Sequence, residues 1–143
     1  MFSQFIPERV KHEVKKYEDY YSSYLVFGES GTAKKNIAYQ IYLNQTKNTN
    51  YLISINCKLV TDKLWKFLVN ATNGPFVDSH NTIFFENVEQ LNAAAIERIV
   101  SLIKTTNVRN HNQLIFTYDN NKAADQTTFN RLASQLNLSL IHI

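Results

Sequence analysis

The chain has 143 residues, with 15 basic and 12 acidic side chains and a formal net charge of +3. This is long enough for one domain with its own core, but the charge is too balanced to indicate nucleic-acid binding by itself. Apolar residues make up 44%, and no apolar run approaches the roughly 20 residues that a membrane helix needs. The N-terminal sequence lacks a signal-peptide pattern, and the single cysteine excludes an internal disulfide and suits a reducing cytosol. We therefore expect a cytoplasmic domain with no membrane segment.

An amphipathic helix is predicted at residues 8–20, where Val10, Val14 and Tyr17 recur at helical spacing. Basic and acidic side chains alternate over its remaining positions. This mixture is typical of a solvated helix face rather than of a nucleic-acid patch. We treat residues 1–143 as a single domain, with an N-terminal helical segment at 1–22 and an α/β core at 23–143.

The most informative stretch is residues 24–35, which read YLVFGESGTAKK. Four β-prone residues lead into a glycine turn, a basic pair and a helical run, which is the context of a phosphate-binding loop. The pattern of such a loop is G-x-x-x-x-G-K-[ST]. Gly28 and Lys34 match it, whereas Ala33 replaces the second glycine and Lys35 replaces the magnesium-binding Ser/Thr. The pattern therefore predicts the fold of this loop more strongly than its nucleotide chemistry.

We expect this degenerate loop to keep an anion-binding shape, because it ends at the N-terminus of a helix that begins near Lys34. The Ala33 methyl opposes binding, and Lys34 either faces an anion or pairs with Glu86. ATP affinity is therefore expected to be no better than about millimolar. The candidate phosphate-binding residues are Gly28, Glu29, Ser30, Gly31, Thr32, Ala33, Lys34 and Lys35.

A second strand is predicted at residues 51–56, followed by Cys57. No histidine is spaced to activate this thiol, so a buried structural cysteine is the favoured interpretation. Thr61 or Asp62 is expected to cap a short helix, which a turn at residues 73–75 ends. The apolar positions of that helix are Leu64, Trp65, Leu68 and Val69.

Three further strands are predicted at residues 82–85, 113–118 and 138–143, and a long helix from about Glu89 to Lys104. Alternation of strands and helices predicts an α/β fold with a largely parallel sheet. The buried stripe of the long helix is expected to consist of Val88, Leu91, Ala95, Ile99 and Leu102. The four histidines have no metal-ligand spacing, so no metal site is expected from them.

Five segments, in the same order along the chain, resemble the AAA+ domain of sigma-54-dependent transcription activators. GESGTAKK is similar to the family's GESGTGKE loop, LISINC to its FVAINC strand and TIFFENV to its Walker B segment TLFLDEI. The fourth strand is similar to the sensor 1 strand, and LNL at 136–138 to a segment near the family's arginine fingers. The resemblance covers residues 22–143. It implies a P-loop NTPase core with a five-stranded, mostly parallel sheet of order 5-1-4-3-2, flanked by helices and lacking the family's lid.

Residues that carry catalysis in the family are replaced in this chain. Glu86 stands in the position of the Walker B aspartate, and Asn87 in that of the glutamate that polarises water, so the general base is absent. Asp119 falls on the sensor 1 asparagine, and the two arginine fingers fall on Phe129 and Gln135. The resemblance thus implies a degenerate ATPase that is not an enzyme, with weak ATP and magnesium binding and with Glu86 as the carboxylate closest to a metal-binding role.

The family's sigma-54 contact loop has no room here, because 24 residues (58–81) separate Cys57 from Thr82. The resemblance implies a domain of a bacterial transcription regulator that acts by protein contact. Its partners would be other regulatory proteins, including other AAA+ subunits, and neither membranes nor nucleic acid are expected to bind it directly. Two alternatives remain: a divergent ATPase that uses Lys34 and Glu86, and a stand-alone adaptor in another signalling assembly.

Overall fold

A five-stranded parallel sheet forms the centre of the part of the chain that the structure describes. The structure, a computed structural model, describes residues 23–29, 33–44, 51–59, 61–68, 79–120 and 127–143. The predicted helix at 8–20 and the turn at 73–75 lie outside these residues. The strands are β1 (Ser23–Gly28), β2 (Leu52–Asn56), β3 (Thr82–Glu86), β4 (Gln113–Asp119) and β5 (Ser139–His142).

The strand order is β2-β3-β4-β1-β5, which confirms the predicted order. All four strand pairs are parallel. β1 lies between β4 and β5, and Gly28 at its end is in register with Asp119 at the end of β4. The carboxyl ends of the strands consequently meet along one edge of the sheet, where parallel α/β folds place their ligands.

Helices cover both faces of this sheet. α1 packs on one face, where Ile37 and Ile41 join a cluster that includes Val26 and Phe84. The other helices contribute to the cluster on the opposite face. The described helices are α1 (Lys34–Asn44), α2 (Asp62–Leu68), α3 (Ala93–Thr105), α4 (Val108–His111) and α5 (Thr127–Leu136).

The central strands are buried on both faces, as their continuous apolar runs require. Tyr24 and Val26 belong to the cluster under α1, whereas Leu25 belongs to the cluster on the opposite face. Phe84 and Phe85 divide in the same way, because successive side chains of a strand point to opposite faces. This two-sided burial stabilises β1 and β3, whose carboxyl ends border the crevice.

The predicted start of the long helix was wrong by four residues. Residues 88–90 form a 3-10 turn, and α3 begins at Ala93 after an N-cap at Asn92. The Asn92 side chain accepts a hydrogen bond from the Ala95 backbone N–H at 2.8 Å, which satisfies one donor of the first turn. The buried stripe is shifted accordingly and consists of Ile96, Ile99, Val100 and Ile103.

Two smaller predictions are refined by the structure. Thr61 caps α2, since its Oγ1 accepts a hydrogen bond from the Leu64 backbone N–H at 3.2 Å. Tyr51 precedes β2 instead of starting it, and its side chain is largely exposed. Among the described residues, no helix combines the length and the apolar character needed to span a bilayer.

Candidate functional site

The candidate site lies at the carboxyl ends of β1, β3 and β4. Gly28 and Asp119 are register partners on adjacent strands. The end of β3 is tied to β4, because the Asn87 backbone N–H donates to Thr117 Oγ1 at 2.9 Å. The structure thus brings together three parts of the predicted site: the start of the glycine loop, the Walker B-like residues and the sensor 1-like residue. Ser30, Gly31 and Thr32 lie outside the described residues.

Lys34 is folded into the glycine loop. It is the first residue of α1, only 7% of it is exposed, and the carbonyl of Ala33 before it accepts the hydrogen bond from Ile37 N–H. Its Nζ donates to the carbonyl oxygen of Glu29 at 2.8 Å and to that of Gly28 at 3.4 Å. A buried ammonium requires such acceptors. Lys34 therefore satisfies its charge within the loop that was predicted to hold phosphate.

Lys35 is the lysine that pairs with Glu86. The distance between Lys35 Nζ and Glu86 Oε1 is 3.6 Å, with 56% and 22% of the respective side chains exposed. Pairing of Glu86 with Lys34 is one of the two expectations from the sequence, and the structure gives Glu86 the neighbouring lysine instead. Lys35 is the residue that the resemblance aligns with the magnesium-binding Ser/Thr, and its ammonium lies beside Glu86, which the resemblance aligns with the metal-binding aspartate.

Asn87 directly follows β3 and adopts a left-handed backbone conformation, with φ of 62° and ψ of 58°. Asparagine tolerates this conformation better than most residues. Its side-chain Nδ2 donates to Glu89 Oε2 at 3.3 Å. Asn87, which the resemblance aligns with the family's catalytic glutamate, is therefore a hydrogen-bond donor to a neighbouring carboxylate.

Glu89 is a site residue that sequence reasoning missed. Its Oε1 accepts the backbone N–H of Asp119 at 2.9 Å, and its Oε2 also accepts from Gln90 Nε2 at 3.1 Å. Glu89 and Asp119 are 30 residues apart, so no local pattern connects them. The nearest sequence signal is that Glu89 is a carboxylate two residues beyond the Walker B-like pair.

Cys57 is buried beneath this end of the sheet, as predicted, with 3% of it exposed. Burial raises the pKa of its thiol to about 12, and the negative charges of Glu89 and Glu86 act in the same direction. Its Sγ lies 3.9 Å from the Ile55 carbonyl oxygen. A protonated, buried thiol is a packing residue and a poor nucleophile.

The two residues that the resemblance aligns with the family's arginine fingers, Phe129 and Gln135, make contacts within this domain. Phe129 packs edge-on against Phe27 and Tyr118, with ring centroids 4.8 and 5.5 Å away. Gln135 accepts a hydrogen bond from Lys104 Nζ. Arg131, between these two positions, pairs with Glu97 on α3, where its terminal nitrogen lies 2.7 Å from Oε2. This pair lowers the pKa of Glu97 and raises that of Arg131.

Within the described ranges, no three side chains of the types His, Cys, Asp and Glu are grouped so that they could hold a metal ion. The described contacts of the Glu86 and Glu89 carboxylates are made with protein nitrogens. The described side chains therefore bind one another through charge pairs and hydrogen bonds.

A parallel sheet of this order, with a glycine-containing sequence between β1 and α1 and a crevice at the strand ends, is the arrangement of a P-loop NTPase core of the AAA+ type. The family model of the Sigma-54 interaction domain matches residues 3–113, which is more than half of the chain. The chain therefore belongs to the Sigma-54 interaction domain family. A comparison with curated proteins gave no match.

Solved structures with the same fold include NtrX from Brucella abortus in complex with ATP, with a TM-score of 0.73 at 11% identity. That match covers 94% of this chain and 36% of the NtrX chain. AMPPCP-bound DnaA from Aquifex aeolicus has a TM-score of 0.64 at 16% identity, covering 100% of this chain and 49% of that one. For the P-loop NTPase domain of a sigma-54 activator from E. coli, the TM-score is 0.54 at 13% identity. That match covers 93% of this chain and 83% of the E. coli chain. This chain thus spans about a third of the NtrX chain.

Proposed function

We propose that this chain is a catalytically degenerate Sigma-54 interaction domain of a bacterial, cytoplasmic transcription regulator, which acts by protein contact and has little or no ATP binding. The observation that carries this proposal is the Lys35–Glu86 ion pair at 3.6 Å. It engages the Walker B-like carboxylate with a protein cation at the position where the family binds magnesium. Membership of the family supports a role in transcription regulation.

The contacts of Asn87 and Phe129 support the same proposal. Asn87 has an amide in place of a carboxylate base, and its Nδ2–H donates a hydrogen bond to Glu89. Phe129 packs on Phe27 and Tyr118, in the position where an arginine finger would reach a neighbouring subunit. Arginine fingers contribute roughly 10³–10⁵ to the rate of phosphoryl transfer, so their loss together with that of the base should abolish turnover.

The test is phosphate release from ATP at high protein concentration with magnesium present. We expect turnover below about 0.01 per second, which is well under common enzymatic rates. The matched variants are Lys34→Ala in the loop and Lys66→Ala on the exposed surface of α2. Turnover above this value that Lys34→Ala abolishes and Lys66→Ala preserves would overturn the proposal.

That outcome would instead support the alternative, a divergent ATPase using Lys34 and Glu86. The observation in its favour is that Lys34 occupies the loop, buried against the carbonyls of Gly28 and Glu29. Displacement of these carbonyls by a phosphate would turn the same lysine into a nucleotide ligand. The assay separates the two functions, because a degenerate domain is expected not to turn over ATP and a divergent ATPase is expected to turn it over.

Protein contact is proposed without the family's projecting hairpin, since residues 58–81 are too few to form it. We expect alanine replacement of residues 74–76 to leave any binding of sigma-54 in a pull-down unchanged, as should alanine replacement of residues 48–50 as a control. Binding that is lost specifically with the 74–76 replacement would contradict this.

A further inference from the structure

The carboxylate of Glu89 accepts hydrogen bonds from three N–H donors. Oε1 accepts the backbone N–H of Asp119 at 2.9 Å. Oε2 accepts the side-chain amides of Gln90 at 3.1 Å and Asn87 at 3.3 Å. These donors come from the turn after β3 and from the last residue of β4. The carboxylate therefore joins two strand ends that border the candidate nucleotide crevice.

The Glu89 carboxylate is connected to the glycine loop through Asp119. Asp119, which donates to it, is the register partner of Gly28, and neighbouring strands lie about 4.8 Å apart. The donor residue Asp119 is thus about one strand away from the point where the loop begins. Convergent N–H donors are also the groups with which proteins bind phosphate oxygens.

We propose that Glu89 is an internal anion, which takes up the donors at the ends of β3 and β4 and thereby keeps phosphate oxyanions out of the crevice. This inference rests on the proposed function, because it gives a physical cause for weak nucleotide binding. Two negative charges that compete for the same donors repel each other at short distance, and the tethered carboxylate has the advantage of being part of the chain.

Glu89 differs from the altered motif residues in its effect on the site. Ala33 and Lys35 remove features that a nucleotide site needs, whereas Glu89 adds a competing negative charge. Removal of this side chain should leave the N–H groups of Asp119, Asn87 and Gln90 directed toward an unfilled space. A small carboxylate supplied in solution should then bind there.

The experiment compares the unaltered protein with Glu89→Ala, and uses Glu97→Ala as the matched control. Glu97 is a carboxylate on the outer surface of α3 that pairs with Arg131, so its removal changes the charge equally but away from the crevice. The backbone amide signal of Asp119 is followed by NMR during titration with sodium formate and, separately, with inorganic phosphate.

We expect the Asp119 signal of Glu89→Ala to shift saturably with formate, while the other two proteins show no such shift. Phosphate should bind Glu89→Ala about tenfold more tightly than the unaltered protein, because one nearby negative charge has been removed. Glu89→Gln keeps the shape of the side chain and one acceptor oxygen. It should fold even if the alanine variant does not, and should also bind phosphate more tightly.

Equal phosphate affinity in the unaltered protein and in the Glu89→Gln variant would overturn the inference. A formate-dependent shift of Asp119 that is the same in all folded proteins would also overturn it. The proposed function fails on a different result, namely ATP turnover by the unaltered protein. The two failures are therefore distinguishable.

Discussion

Lys34 and Lys35 are adjacent in the chain but have different environments. Successive residues of a helix point about 100° apart, so one lysine is buried in the loop and the other remains 56% exposed at its side. The buried ammonium is held by the carbonyls of Gly28 and Glu29, and the exposed one by Glu86. An exposed pair of this kind contributes about 0–1 kcal/mol to stability. The Lys35–Glu86 pair therefore adds little to the stability of the fold.

Cys57 provides a prediction on the pH dependence of stability. Its pKa is raised from 9.0 to about 12 in the folded protein, first by burial and then by Glu89 and Glu86. Between pH 9 and 12 the unfolded chain loses the thiol proton while the native state keeps it, so this group contributes stability below pH 9 that is lost as pH rises. The loss is about 1.4 kcal/mol per pH unit within that window.

We expect the free energy of unfolding, measured by urea denaturation from pH 8 to 10.5, to fall less steeply with pH in Cys57→Ala than in the unaltered protein. Contributions of the tyrosines and lysines to the pH dependence are shared by the two proteins and cancel in the comparison. Parallel pH profiles for the two proteins would show that the thiol is not held protonated by its surroundings.

At the scale of elements, the segment between β3 and α3 determines how the site is built. The left-handed Asn87 turns the chain away from the β3 direction, a 3-10 turn follows, and Asn92 starts the helix. This arrangement places Glu89 over the end of β4, where it meets the Asp119 backbone. A helix that began directly at Glu89 would have placed this carboxylate in its first turn.

The N-cap of α3 gives a stability prediction. Asn92→Ala removes the acceptor for the Ala95 backbone N–H, which should cost about 1 kcal/mol and lower Tm by about 3 °C. Asn107→Ala is the matched control, because Asn107 precedes α4 without a side-chain capping hydrogen bond. Thermal unfolding followed by circular dichroism measures both. Equal shifts in Tm for the two variants would argue against the capping role of Asn92.

At the scale of the whole molecule, the sequence contained enough information for the strands but not for the contacts among their ends. The apolar runs of β1, β3 and β4 are buried on both faces of the sheet, which is why their positions were predictable. Their order came from the family resemblance, because hydrophobic periodicity locates strands without ordering them. The confirmed order then explains why Gly28, Glu86 and Asp119 lie at one edge.

The parts of the site that were not predictable depend on geometry over long sequence separations. The Glu89–Asp119 contact requires the left-handed Asn87, the 3-10 turn and the β3–β4 pairing together. The choice of Lys35 over Lys34 as partner of Glu86 depends on the rotation of α1 about its axis. Neither feature leaves a periodic or motif signal in the sequence.

The central claim is that the crevice is satisfied by the protein's own charges and binds nucleotide weakly. Isothermal titration calorimetry with ATP, with and without magnesium, tests it most directly, and Ala33→Gly is the variant that restores the loop glycine. We expect a Kd for ATP no tighter than about 1 mM, roughly −4 kcal/mol, in the unaltered protein, and tighter binding in Ala33→Gly if the methyl group is the main obstacle. Micromolar ATP binding by the unaltered protein would contradict the account.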